Sequence, residues 1–259
     1  MLSSINELYQ YLSMTKHIAS TSSKGIFLLK NYLISHHIMK HILFPTDFSK
    51  NAKNAIYYGL TLLGDEPCKI IFLNVFPIPY SGPEVPISIN DISSESADKS
   101  FKKLIEQIDK DFPKNTFDIE TEFRVGELVP TVIGIIQRKK INQIVMGTHG
   151  ASGFTELVLG SFTASIIKHV KCPVLAIPEK AKFKAPKKIV FALNNKMEFS
   201  KRTLKPLLEI ANKYKSEILI LHVVVNVEEE KRINKKKIDN LLMNIKHTFH
   251  IVYDEEVPH

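Results

Sequence analysis

The chain has 259 residues, of which 44% are hydrophobic and 24% charged, and it carries a net charge of +8. That balance belongs to globular proteins and excludes disordered and fibrous classes, while the length admits one large domain or two small ones. The apolar stretches, such as Ile141 to Gly147 and Val174 to Ile177, stop far short of the roughly 20 residues that a bilayer span requires.

Residues 1–38 are rich in Ser and His, with a short apolar run at Gly25 to Leu29. They lack a basic segment followed by a long apolar one and a small-residue cleavage site, so a secretory signal is not expected. They read as an N-terminal extension, with the natural start at Met39 or the segment only loosely held. His41 to Pro45 is then a short buried strand, too short for a helix. Ser49 caps a helix whose Ala52, Ile56, Gly59, Leu60 and Leu63 recur at helical spacing, and Gly64-Asp65 ends it. Lys69 to Phe76 is a second apolar strand, and a Pro/Ser/Gly loop runs to about Asn90. A second helix buries Ala97, Phe101, Leu104, Ile105, Ile108 and Phe112.

Phe117 to Val125 alternates as a half-buried edge strand. A third helix through Leu128, Val129, Ile133 and Ile136 closes on Arg138-Lys139-Lys140, where positive charge suits a helix C-terminus. Ile141 to Met146 is a fourth strand, Ser161 to Val170 a fourth helix, and Val174 to Ile177 a fifth strand. Alternating strands and helices specify a parallel sheet covered on both faces by crossover helices.

The pattern then repeats. Lys187 to Asn194 matches Lys40 to Asp47, Ile218 to Val223 matches Ile70 to Val75, and Thr248 to Ile251 resembles Thr116 to Ile119. Ser200 precedes a helix with Leu204, Leu207, Leu208 and Ala211 on one face. The second copy thus has three strands and no counterpart of the last two. The expected domains are 39–180 and 186–259, joined through Ala181 to Pro186.

Most of the net positive charge lies after residue 180. Its densest run, Lys231 to Lys237, follows Glu228-Glu229-Glu230 and reads as a solvated helix face, so nucleic acid is not an expected partner. Cys68 and Cys172 lack the paired spacing of a zinc or redox site. They read as buried reduced thiols, which favours a reducing compartment, hence the cytoplasm.

The chemistry is expected after the fourth strand, at Gly147-Thr148-His149-Gly150, then nine residues, then Gly160-Ser161 opening a helix. Glycines at a strand's end let backbone approach a ligand, and a helix N-terminus offers N–H groups and partial positive charge to phosphate. The site would lie at the sheet's switch point, between Asp47 and Gly147. Glycines that merely make turns are the alternative reading.

These residues resemble the ATP-binding branch of the universal stress proteins, which carries Gly, two residues, Gly, nine residues, Gly, then Ser or Thr. Pro45-Thr46-Asp47-Phe48-Ser49, Leu73-Asn74-Val75 and Cys172-Pro173-Val174-Leu175 are similar to the family's strand ends. The resemblance covers Met39 to about Glu179 strongly and the rest weakly. It implies an α/β fold of the adenine nucleotide alpha-hydrolase-like, Rossmann-like kind, an open parallel sheet with helices on both faces, followed by a partial second copy.

It further implies ATP as ligand, with a divalent cation on the phosphates as an option. Pro45, Thr46, Asp47 and Val75 would line the adenine and ribose side, Met146 and Gly147 would continue that wall, and His149, Gly150, Gly160, Ser161, Phe162 and Thr163 would surround the phosphates. Val75 and Met146 are also core-type residues, Asp47 could instead cap a helix, and His149 could sit in solvent. Asn194 in place of Asp47, and the missing glycine motif, imply that the second copy binds no nucleotide.

No catalytic residue is assigned, because His149 lacks the partners of a triad or a metal site. The expected role is a regulatory or signalling module of the stress response. The alternatives are a slow nucleotide hydrolase and an interaction scaffold with a vestigial site. Lys196 to Lys201 faintly resembles a synthetase signature, without its partner sequence. In the resembled family the fifth strand pairs with its equivalent in a second domain, which implies a homodimer through Val174, Leu175, Ala176 and Ile177.

Overall fold

The computed structural model describes residues 39–77, 87–114, 117–148, 159–193, 200–224, 228, 230 and 234–253, the side chains of 87–93 and of residue 202 excepted. Expectations for residues 1–38, the loop at 78–86, His149, Gly150, Asn194, Lys196 to Phe199 and Lys231 to Ile233 lie outside the described residues. The chain divides into two compact units, one ending at Ala181 and one beginning at Lys182.

The first unit runs β1 (Lys40–Pro45), α1 (Lys50–Leu63), β2 (Cys68–Phe76), α2 (Ile87–Asp111), β3 (Asp118–Val125), α3 (Leu128–Lys139), β4 (Gln143–Gly147), α4 (Ser161–His169) and β5 (Val174–Ile177). Its sheet has the order β3-β2-β1-β4-β5, and every pair is parallel. The side chains of β1 alternate between two cores. Ile42 and Phe44 join Ile56 and Leu60 of α1 and Phe101 and Leu104 of α2 on one face. Leu43 joins Ile71, Leu73, Val132 and Ile135 of α3, and Ile166 of α4 on the other. A strand buried on both sides must be apolar throughout, which is why β1 and β2 read as unbroken runs.

Local signals set the helix ends. The Ser49 hydroxyl accepts the Ala52 amide at 3.2 Å, and Gly64 stops α1 with φ 56°. Two expected boundaries are corrected. The helix α2 begins at Ile87, inside the stretch read as loop. The strand β4 begins at Gln143 rather than Ile141, because the Ile141 amide still closes α3 by donating to the Ile136 carbonyl at 3.1 Å. The basic end of α3 also does more than suit a helix terminus. Arg138 and Lys139 pair with Glu122 of β3, and Lys139 pairs with Glu120. The hydrogen bond from Lys139 holds the Glu120 carboxyl below the usual carboxylate range.

The second unit runs β6 (Lys188–Leu193), α5 (Lys201–Tyr214), β7 (Glu217–Val224), α6 (Lys235–Leu242) and β8 (His247–Tyr253). Its parallel sheet has the order β6-β7-β8, the same sequence of neighbours as β1-β2-β3. Leu193, Ile218 and Ile220 pack with Ala211 of α5 and Ile238 and Leu242 of α6. Ser200 and Thr203 form a reciprocal capping box at the start of α5.

Candidate functional site

The strand order places β1 and β4 side by side at the centre of the first sheet, with crossovers leaving in opposite directions. Ligands of open α/β sheets collect at the carboxyl ends of such a strand pair. The β1 exit is a tight polar turn. The Thr46 amide donates to the Leu73 carbonyl at 2.8 Å, and Asn74 Nδ2 donates to the Thr46 carbonyl at 2.7 Å, which ties the ends of β1 and β2 together. Thr46 Oγ1 accepts the Phe48 amide at 3.0 Å, and Asp47 Oδ1 accepts the Ser49 amide at 3.0 Å. Asp47 therefore braces the turn, and the cap of α1 is Ser49.

Phe48 has φ 61°, a left-handed conformation that a bulky side chain rarely adopts. Such backbone costs about 1–3 kcal/mol and persists only where surrounding contacts enforce it. Here those contacts are the Thr46 hydroxyl and the ring of Phe101, which meets Phe48 edge-on at 5.0 Å between centroids.

The β4 exit is built from α4. The Thr163 hydroxyl donates to the Gly147 carbonyl at 2.8 Å, and the Gly160 amide donates to the Thr148 carbonyl at 2.7 Å. These two bonds set the start of α4 beside the end of β4. The helix opens with Gly160 as its cap, with no side-chain cap bond and no acidic residue in its first turn. The amides of Ser161, Phe162 and Thr163 have no partner within the helix, so this end suits an anion.

The expected site residues thus divide. Thr46, Asp47, Gly147, Gly160 and Ser161 stand at the adjoining ends of β1, β4 and α4. Pro45 is the last residue of β1, and Val75 lies near the end of β2, packed partly against the core. Met146 is buried in that same core. Thr163 is 2% exposed and its hydroxyl is turned inward onto the Gly147 carbonyl, while its backbone amide belongs to the open first turn of α4. Phe162 is 60% exposed. His149 and Gly150 lie outside the described residues. The structure adds Asn51, which stands against Gly147, and gives Asn74 of the Leu73-Asn74-Val75 run a bond to the β1 turn. The available signal for Asn51 was a polar residue at helical spacing from Ala55 and Gly59 on the buried side of α1.

No group of three His, Cys, Asp or Glu side chains among the described residues is arranged to hold a metal ion. Cys68 and Cys172 are free and buried, and burial pushes the Cys172 thiol up to about 11, which keeps it protonated and unreactive. No helix among the described residues is long and apolar enough to cross a membrane.

The family model of the Universal stress protein family matches residues 39–178, more than half of the chain. The chain belongs to the universal stress protein family. Universal stress protein MJ0531 of Methanocaldococcus jannaschii is 26% identical over 61% of this chain and 99% of its own length. Universal stress protein MJ0577 of the same organism is 26% identical over 54% of this chain and 96% of its own. A solved universal stress protein from Archaeoglobus fulgidus, 21% identical, covers 83% of this chain and 78% of its own with a TM-score of 0.63. At that identity the likeness shows the fold, and its coverage reaches past the matched domain into the second unit.

Proposed function

We propose that this universal stress protein binds one adenine nucleotide, ATP or a close relative, at the ends of β1 and β4, and acts as a regulatory or signalling module in the cytoplasm. The observation that carries the reading is the glycine spacing set on this geometry. Gly147 ends β4, and Gly160-Ser161 opens a helix beside it that has no side-chain cap bond and no acidic residue in its first turn. Phosphates would meet the α4 amides, and the base and ribose would lie toward Pro45, Thr46, Asp47 and Val75. A divalent cation would travel on the phosphates.

Gly160 has φ −56° and ψ 148°, angles open to any residue, so its bare Cα is better explained by a ligand's approach than by backbone conformation. Calorimetry with ATP tests this. The wild type is expected to bind one equivalent, and Gly160→Val is expected to lose binding while still melting cooperatively. Unchanged affinity in that variant would remove the motif from the site.

Turnover is expected to be slow, because the motif supplies binding groups and no evident general base. A fast ATPase that disappears in His149→Ala would make the protein an enzyme instead. We further propose a homodimer through Val174 to Ile177. Among the described residues β5 pairs only with β4, and its Val174, Leu175 and Ala176 are half-buried, so its other edge offers unpaired backbone groups to a second copy.

A further inference from the structure

The glycine that opens the motif, Gly147, does not have a positive φ, so its backbone could be adopted by any residue. What excludes a side chain there is space. A Cβ at Gly147 would lie 2.9 Å from Asn51 Oδ1, 3.0 Å from its Cγ and 3.2 Å from its Nδ2, and it would meet Asn51 before any other group. The carboxamide has little freedom to retreat. Asn51 is 5% exposed and sits in the first turn of α1, between the Ser49 cap and the buried Ala52 and Ala55.

The same glycine is gripped from its other side. Its carbonyl takes the Thr163 hydroxyl, and the next carbonyl, of Thr148, takes the Gly160 amide. A line of contacts therefore runs from the β1 turn through Ser49 and Asn51 to Gly147, and from Gly147 to the first turn of α4. A displacement of Gly147 by a few tenths of an ångström would be passed to the amides that open that helix.

We propose that Asn51 is a positioning residue of the nucleotide site: its carboxamide fills the space vacated at Gly147 and holds the end of β4 so that the α4 amides face the phosphates. This rests on the nucleotide-binding reading above and alters one part of it. Gly147 is glycine because of Asn51, ninety-six positions earlier, rather than because of the ligand.

A double-mutant cycle on the full chain decides the matter, with melting temperature measured without nucleotide and affinities for ATP and adenosine measured by calorimetry. Gly147→Ala is expected to lower the melting temperature by roughly 3–10 °C, as overpacking does in a chain of this size. It is also expected to weaken ATP binding by about tenfold or more, equivalent to about 1.4 kcal/mol. Adding Asn51→Ala should return both quantities to about the values of Asn51→Ala alone, because the clash is then gone. Losses that simply add in the double variant would overturn the pairing.

Asn51→Ala alone should weaken ATP more than adenosine, since only the phosphate side loses its support. Equal losses for the two ligands, or none, would reduce Asn51 to ordinary packing and defeat the positioning role. Should Gly147→Ala fail to fold, a folded, ATP-binding double variant supports the proposal and an unfolded one overturns it. A wild type that binds no ATP would sink the nucleotide reading and the positioning role with it, whereas the melting cycle would still decide the Asn51–Gly147 pair.

Discussion

At His247 two acceptors converge on one imidazole ring. Nδ1 lies 2.7 Å from the Ile245 carbonyl and Nε2 lies 3.0 Å from Asp239 Oδ1. A neutral ring can donate to one of them and the imidazolium to both. Burial opposes the charge, yet the Ile245 carbonyl and the Asp239 carboxylate together raise the His247 pKa above its ordinary 6.5. A raised folded-state pKa means that the pair's contribution to stability is complete below about 6.5 and is lost as pH rises through the folded value. NMR titration of the ring should therefore give a value above 6.5 that falls back in Asp239→Asn. The contact joins α6 to the start of β8, so the second unit should soften modestly on the alkaline side of that titration. A ring that titrates at or below 6.5 in the wild type would contradict this.

At the scale of the element, two glycines inside helices make opposite demands. Gly59 of α1 faces the sheet, where a Cβ would stand 2.7 Å from Phe44 Cε1 and 2.9 Å from Val145 Cγ1. Gly134 of α3 has nothing within 4 Å of the same position. Alanine improves helix propensity at either site by about 0.8–1 kcal/mol. At Gly59 an overpacking cost of about 1–3 kcal/mol opposes that gain. Denaturant unfolding should show Gly59→Ala destabilised by up to about 2 kcal/mol and Gly134→Ala stabilised by up to about 1 kcal/mol. Equal shifts in the two variants would mean that α1 can move off the sheet without cost. At α5, Ser200→Ala removes one half of the capping box and should lower stability by about 1 kcal/mol in the same assay.

For the whole molecule the questions are which segments are needed and how copies associate. Among the described residues, the sheet of the first unit has five strands, all within Lys40–Ile177, and a core on each face. A chain beginning at Met39 is therefore expected to express, melt cooperatively and bind ATP, as thermal melts and calorimetry would check; insolubility or lost binding would show that residues 1–38 pack on the domain. Association through β5 would be isologous, since equal patches impose two-fold symmetry. Sedimentation of the intact protein should give a dimer, and Leu175→Lys a monomer, because a lysine in that strand places like charges near the axis. A monomeric wild type, or a dimer indifferent to the lysine, would refute that assembly.

The sequence by itself determined what depends on short-range pattern. The unbroken apolar runs of β1 and β2, the helical spacing from Ala52 to Leu63, the Ser49 and Ser200 caps and the Gly64 stop are local signals. Together with the recurrence of Lys40 to Asp47 at Lys187 to Asn194 they were enough for the α/β class and a second partial sheet. The Gly147, Gly160 and Ser161 spacing was equally legible, and it carries the family resemblance. Only the tertiary structure decided what each of those residues touches. Met146 and Thr163 turn inward, Asp47 braces a turn while Ser49 caps, and Arg138 and Lys139 answer the carboxylates of β3. Asn51 meets Gly147 across the sheet's switch point. Periodicity reports which side of an element is buried, but the partner on that side is set by how α1, β4 and α4 close on one another, and such contacts between distant residues leave no mark in any local window.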